Sequence, residues 1–248
     1  MKDQGQISNE VATFWITPNI TTVDNITTWD YTNNVAFGGI PNDLNKQSYH
    51  EFKADTGFLD SGLWVTGLDW IKLGKTQIQK APNSYAFIDN SSPNILLPQD
   101  LWDGYFWPMA NNTVGLTCNS YSCFNNTATC DQISDIDNMQ SLIFKLGLNE
   151  YTITPRAYAF SHDSMCTLGV SYTQFTNQVI LGDPFFYNYV VSFDYGKSTI
   201  KIATSQVGDQ NGASSSHNLS AGGVVGIIAG SLVTVVGVIF LIRYFMKK

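Results

Sequence analysis

A run of twenty-one residues without a charged side chain, GGVVGIIAGSLVTVVGVIFLI at 222–242, decides the layout of this chain. At a rise of about 1.5 Å per residue it crosses a hydrocarbon core of roughly 30 Å, so a transmembrane helix is expected over 221–245. Arg243, Lys247 and Lys248 follow at once. Positive flanks stay in the cytoplasm, which makes 246–248 a cytoplasmic tail and puts everything before the helix in a lumen or outside the cell, on a single-pass membrane protein. Gly222, Gly226 and Gly230 recur at every fourth position, the small-residue spacing that lets two such helices approach and dimerise. Residues 206–220 show no apolar period and read as a flexible stalk, which leaves 1–205 as the folded domain.

The two ends of the chain disagree. Met1-Lys2-Asp3-Gln4-Gly5-Gln6 brings no apolar run behind its positive charge, so no secretory signal is read there. Yet sequons at Asn19, Asn25, Asn90, Asn111, Asn125 and Asn218, with four cysteines, suit an oxidising lumen. A sequence that starts late within a longer chain reconciles the two. A tail-anchored domain left in the cytosol is the other reading.

Lys plus Arg at 13 against Asp plus Glu at 20 gives a net charge of −7, which argues against nucleic acid as a partner, because binding phosphate needs a basic face. Charged residues make up 13%, against about 25% in an average soluble domain, while aromatic residues also reach 13%. Disorder is thereby excluded. His50, His162 and His217 lie far apart and none has metal-ligand spacing, so no metal or other cofactor is expected. Nor is there a G-x-S-x-G or a phosphate-cradling glycine loop.

Between the ends the chain reads as short strands broken by turn residues, a mainly β class. Alternation at 189–193 and 199–203 flanks a two-residue turn at Tyr195-Gly196 and predicts a hairpin. Residues 13–16, 63–68, 85–88, 141–145 and 151–153 are further strands, rich in aromatic or β-branched side chains. Helix starts are expected at 98–102 and 183–186, each opening on proline or an acidic residue. Trp102 and Trp107 read as packing residues.

One strand, Ser84-Tyr85-Ala86-Phe87-Ile88, delivers a single carboxylate, Asp89, to a turn of small polar residues, Asn90-Ser91-Ser92, followed by Ile95-Leu96-Leu97-Pro98. Much later comes Ile180-Leu181-Gly182-Asp183, then Phe185-Phe186 and the closing hairpin. In these two motifs and their order the chain resembles the C-terminal lobe of the pepsin-like aspartic peptidases, which carries Asp-Thr-Gly-Thr-Ser and then Ile-Leu-Gly-Asp. The resemblance extends to Phe14-Trp15-Ile16, Phe37-Gly38-Gly39 and Trp64-Val65-Thr66-Gly67, and covers roughly 2–204. It implies the pepsin-like acid protease fold, Asp89 at a catalytic position, Asn90, Ser91, Ser92, Ile180, Leu181 and Gly182 in the active-site loops, and peptide or protein substrates. It also implies a Cys130–Cys166 disulfide, leaving Cys118 and Cys123 as a local second bridge; by count alone four cysteines allow three pairings.

This chain departs from the pattern where chemistry is most exacting. Asn90 and Ser91 stand where the family has Thr and Gly, and Asn90 opens a sequon whose sugar would block a cleft. A Ser in the Gly position costs little if its φ is negative and about 1 kcal/mol or more if it is not. The family's reaction needs a second aspartate, which it takes from an N-terminal lobe largely missing from these 248 residues. Asp55 in Ala54-Asp55-Thr56-Gly57, and Asp60 in Asp60-Ser61-Gly62, lack a preceding apolar strand and read as turn formers, as do Asp183 and Asp194. Three functions remain open: an aspartic endopeptidase represented by part of its chain, a membrane-anchored relative that binds peptides or a partner without cutting them, and a symmetric dimer in which each copy contributes Asp89.

Overall fold

Strand Tyr189–Asp194 is buried at all six positions, as a strand covered on both faces must be. It is central to an antiparallel sheet in the order Ile26–Phe37, Val11–Val23, Tyr189–Asp194, Thr199–Thr204 and His50–Lys53. In this computed structural model residues 9–23, 26–79, 84–162 and 165–205 are described. The opening residues 1–8, Asn25, the stalk, Asn218, the 222–242 run with Gly222, Gly226 and Gly230, and the basic tail lie outside the described residues. Among the described residues no helix is long and apolar enough to cross a membrane.

The expected strand at 13–16 is the start of a much longer hairpin, paired from Ala12↔Phe37 out to Val23↔Ile26. Only Val11–Phe14 also pair with Tyr189–Asp194. Among the described residues the outer part therefore has no third strand beside it, and no apolar alternation marks it in the sequence. The closing hairpin departs from expectation in the other direction. Its turn is not two residues at Tyr195-Gly196 but four, 195–198, with Ser198 at φ 55°. A two-residue turn that follows the strand twist needs positive φ at its central positions, which Tyr195 resists. Instead the Asp194 carboxylate accepts the Lys197 N–H at 3.0 Å and pairs with Lys197 Nζ at 3.6 Å, closing a wider loop. Asp194 is thus a turn residue, as expected.

Two four-stranded antiparallel sheets flank this frame. One runs Asn149–Ile153, Leu142–Leu146, Trp70–Leu73 and Thr76–Gln79, and Leu142, Phe144 and Leu146 face the core by strict alternation. The other runs Ala159–His162, Met165–Leu168, Cys123–Asn125 and Thr117–Cys118. Both disulfides implied by the resemblance are present, Cys118–Cys123 across the last two strands and Cys130–Cys166 tying the short turn Cys130–Gln132 to the inner strand Met165–Leu168. The helix expected near 98–102 begins at Gln99–Leu101, directly after Pro98, and continues through a wider turn over Trp102–Phe106 into Trp107–Asn111. Trp107 N–H bonds five residues back to the Trp102 carbonyl, just ahead of Pro108, whose ring nitrogen has no proton to continue the usual register. The widening turns Trp102 and Phe106 inward together, stacked at 5.4 Å and fully buried.

Candidate functional site

The fourth sheet builds the site. Its order is Val170–Thr173, Ile95–Pro98, Gln178–Leu181, Ser84–Ile88 and Val65–Leu68. Ser84–Ile88 and Gln178–Leu181 run parallel, with Leu181 opposite Ile88, so both chains leave the sheet at the same edge. The chain that leaves at Ile88 re-enters at Ile95 on the far side of Gln178–Leu181, because that strand lies between the two. Residues 89–94 must therefore arch over the end of the strand that finishes in Leu181.

Asp89 is at the start of this arch, half-buried, its N–H donating to the Leu181 carbonyl at 3.1 Å. Its Oδ1 accepts two hydrogen bonds from Ser91, the backbone N–H at 2.9 Å and the hydroxyl at 2.6 Å. Ser92 N–H donates to the Asp89 carbonyl at 3.2 Å, while the Ser92 hydroxyl turns away to the Asn94 carbonyl at 2.8 Å. Asn90 is exposed at the crest. Ser91 occupies its position without backbone strain, since Ser198 is the non-glycine residue of positive φ among those described.

Gly182 passes beneath the arch. A Cβ there would lie 2.3 Å from both the Ser92 and Asn94 carbonyl oxygens, so only a residue without a side chain fits under the turn. The next residue ties the two passes together, with Asp183 N–H donating to the Ser92 carbonyl at 2.9 Å. Gly182→Ala is expected to destabilise the domain by about 3 kcal/mol, as overpacking against immobile backbone does, and to loosen the Asp89 turn with it. A urea midpoint within error of the wild type would show that the arch can move aside.

The structure thus places Asp89 on Leu181 and Ser92 over Gly182 and Asp183, with Asn90 and Ser91 in the same turn and Ile180 one residue earlier in the strand Gln178–Leu181. Asp55 is elsewhere: its Oδ1 accepts the Gly57 N–H at 2.9 Å and caps the short helix Thr56–Leu59, which Asp60 ends. Asp183, read from the sequence as a turn and cap residue, does open the helix Asp183–Phe186, but it also belongs to the site. Burial, and then the negative charge of Asp89, push its carboxyl up to about 6. The signal was its position directly after Gly182; the coupling to Asp89, ninety-four residues earlier, has no local trace.

A carboxyl raised in the folded state favours folding when protonated. Its contribution is complete below the ordinary value of 3.8 and is lost as pH rises through about 6. Asp137 acts in the opposite sense, since its hydrogen bonds from Arg156 hold it below the usual carboxylate range, and its contribution is lost only under stronger acid. The melting temperature is expected to fall between pH 4 and pH 7, and Asp183→Asn to flatten that slope while leaving the decline below pH 4. An unchanged slope in the variant would remove Asp183 as its origin.

Comparison with known proteins agrees with this geometry. The model of the eukaryotic aspartyl protease family matches residues 1–205. Plasmepsin IV of Plasmodium falciparum is 26% identical over 213 residues, which are 83% of this chain and 41% of that protein. Pepsin A of Gallus gallus is 24% identical over 175 residues, 68% of this chain and 42% of its own length. Sheep (Ovis aries) chymosin is 31% identical over 90 residues, 36% of this chain and 22% of its own. The chain spans less than half the length of these relatives. On the matched family model, with the parallel strand pair and the Asp89 arch above it, the chain belongs to the eukaryotic aspartyl protease family.

Proposed function

We propose that this chain is part of an aspartic-type endopeptidase in which Asp89 is one of two carboxylates that activate a water. The observation that carries the reading is the Asp89 arch, where among the described residues both donors fall on Oδ1, which leaves Oδ2 to a water or a substrate. The second aspartate comes from a lobe beyond these 248 residues, a reading supported by the share of each relative that the chain covers. Two carboxyls about 3 Å apart share one proton, because both cannot ionise at that distance. The ionised one takes a proton from the water as its oxygen bonds to the peptide carbonyl carbon, and the protonated one gives its proton to the carbonyl oxygen. Breakdown of that intermediate breaks the C–N bond, with the amine leaving protonated, and restores the shared proton.

The 222–242 run anchors the enzyme as a single-pass membrane protein, with the domain lumenal or extracellular and the glycine face available to a second copy. Substrates are peptides or proteins, as the family model supports. A second reading, binding without cleavage, is favoured by Asn90 and Ser91 in place of the family's Thr and Gly. Cleavage of a denatured protein in acid by the full-length chain, lost in Asp89→Asn, supports the peptidase. Equal cleavage by both proteins removes it, and peptide binding without cleavage establishes the second reading.

A further inference from the structure

We infer that Ser91 positions Asp89 for the reaction, an inference that rests on the peptidase reading. Ser91 donates twice to one carboxylate oxygen, from its amide at 2.9 Å and its hydroxyl at 2.6 Å. Two donors rooted on one residue hold the Asp89 carboxylate in both position and rotation, and so fix the direction of Oδ2. A glycine at 91 would supply the amide alone. The neighbouring hydroxyl cannot take this part, because Ser92 Oγ is committed to the Asn94 carbonyl at 2.8 Å. Asn90 is exposed at the crest, and among the described residues the donors to the Asp89 carboxylate are those of Ser91. The Ser91 hydroxyl also comes without backbone strain, since Ser91 is not in the left-handed region. A charge-assisted bond this short is among the stronger kinds, so its loss is felt in how the carboxylate meets the water rather than in how the substrate docks. The departure from Gly thereby adds an orienting donor to the turn instead of disabling it.

Four variants of the full-length protein test this with one peptide substrate: Ser91→Ala, Ser91→Gly, Ser91→Thr and Asp89→Asn. Replacing Ser91 leaves the Asn90-x-Ser92 sequon intact, so any sugar at Asn90 is common to Ser91→Ala, Ser91→Gly and Ser91→Thr. Ser91→Ala and Ser91→Gly are expected to lower kcat on the order of tenfold with KM unchanged, and Ser91→Thr, which keeps the hydroxyl, to retain most of the activity. A purely structural role would move the melting temperature with kcat and show no rescue by Thr. If Ser91→Ala fails to fold, Ser91→Gly reads the same loss with a residue the turn tolerates. Wild-type kcat in both Ala and Gly variants, with Asp89→Asn inactive, overturns the Ser91 inference and leaves the peptidase standing. Activity that survives in Asp89→Asn overturns the peptidase itself, and the role of Ser91 falls with it.

Discussion

Asp89→Asn is expected to lower kcat for a peptide substrate by about 10²- to 10⁴-fold, the range in which a single general acid or base contributes. The side chain keeps its size, and an amide Oδ1 still accepts the Ser91 amide and hydroxyl protons, which the carboxylate receives at 2.9 and 2.6 Å. The fold should therefore be retained, with a melting temperature within a few degrees of the wild type. What disappears is the ability to take a proton from water, because an amide is not a base in this range. A second signature separates this from local unfolding. The charge of Asp89 is one of the two causes that raise Asp183 to about 6, so neutralising it lowers Asp183 toward the value that burial alone sets. The fall in stability between pH 4 and pH 7 should become shallower in Asp89→Asn, in the same sense as in Asp183→Asn. Loss of activity with an unchanged pH slope would mean that the two carboxyls do not sense each other.

Much of the frame was readable from local pattern. Residues 85–88 and 151–153 read as strands from their aromatic and β-branched side chains, and because one face of each meets the core, Ala86, Ile88, Tyr151 and Ile153 are the buried members. The helix at Asp183–Phe186 declared itself through Pro184 in its first turn. The pairing of the cysteines came from family resemblance, since spacing alone left three choices. What stayed hidden depended on the chain meeting itself at a distance. The hairpin beyond Phe14 leaves the central sheet and carries no apolar alternation, and the turn after Asp194 is set by a carboxylate reaching Lys197.

The site divides along the same line. Asp89 and Gly182 were placed by motif, but the need for glycine at 182 arises only because the 89–94 arch crosses above it, within 2.3 Å of where a Cβ would be. The hydroxyl of Ser91 was visible as a departure from the pattern; its bond to Asp89 Oδ1 depends on a side-chain rotamer that no sequence records. Asp183 shows the same limit from the side of electrostatics. Its raised carboxyl follows from burial and from a charge brought close by two parallel strands, neither of which is a property of the residues around it.

The two disulfides should differ in weight, and the difference tests what holds this domain together. Cys130 and Cys166 close a separation of 36 residues, Cys118 and Cys123 one of 5. Loop-closure entropy assigns about 4 kcal/mol to the first bridge and about 2 kcal/mol to the second. Other contacts at Cys130 do not offset the larger loss. Its N–H donates to Ser161 Oγ at 3.0 Å and its carbonyl accepts from Arg156 at 3.3 Å. Arg156 itself also pairs with Asp131 and Asp137, but these groups are well exposed, where such pairs are worth about 1 kcal/mol or less. Cys130 and Cys166 are also fully enclosed, so shortening both to Ala removes buried sulfur as well as the cross-link. Cys130→Ala with Cys166→Ala is expected to lower the melting temperature on the order of 10 °C, and Cys118→Ala with Cys123→Ala by about half as much. The smaller bridge joins the edge strand Thr117–Cys118 to its neighbour Cys123–Asn125 beside the helix Trp107–Asn111, whose Trp107 Nε1 donates to the Asn119 carbonyl at 3.0 Å, so its loop has a second tether. Equal losses from the two pairs would mean that local packing, not the length of chain enclosed, sets what each bridge contributes.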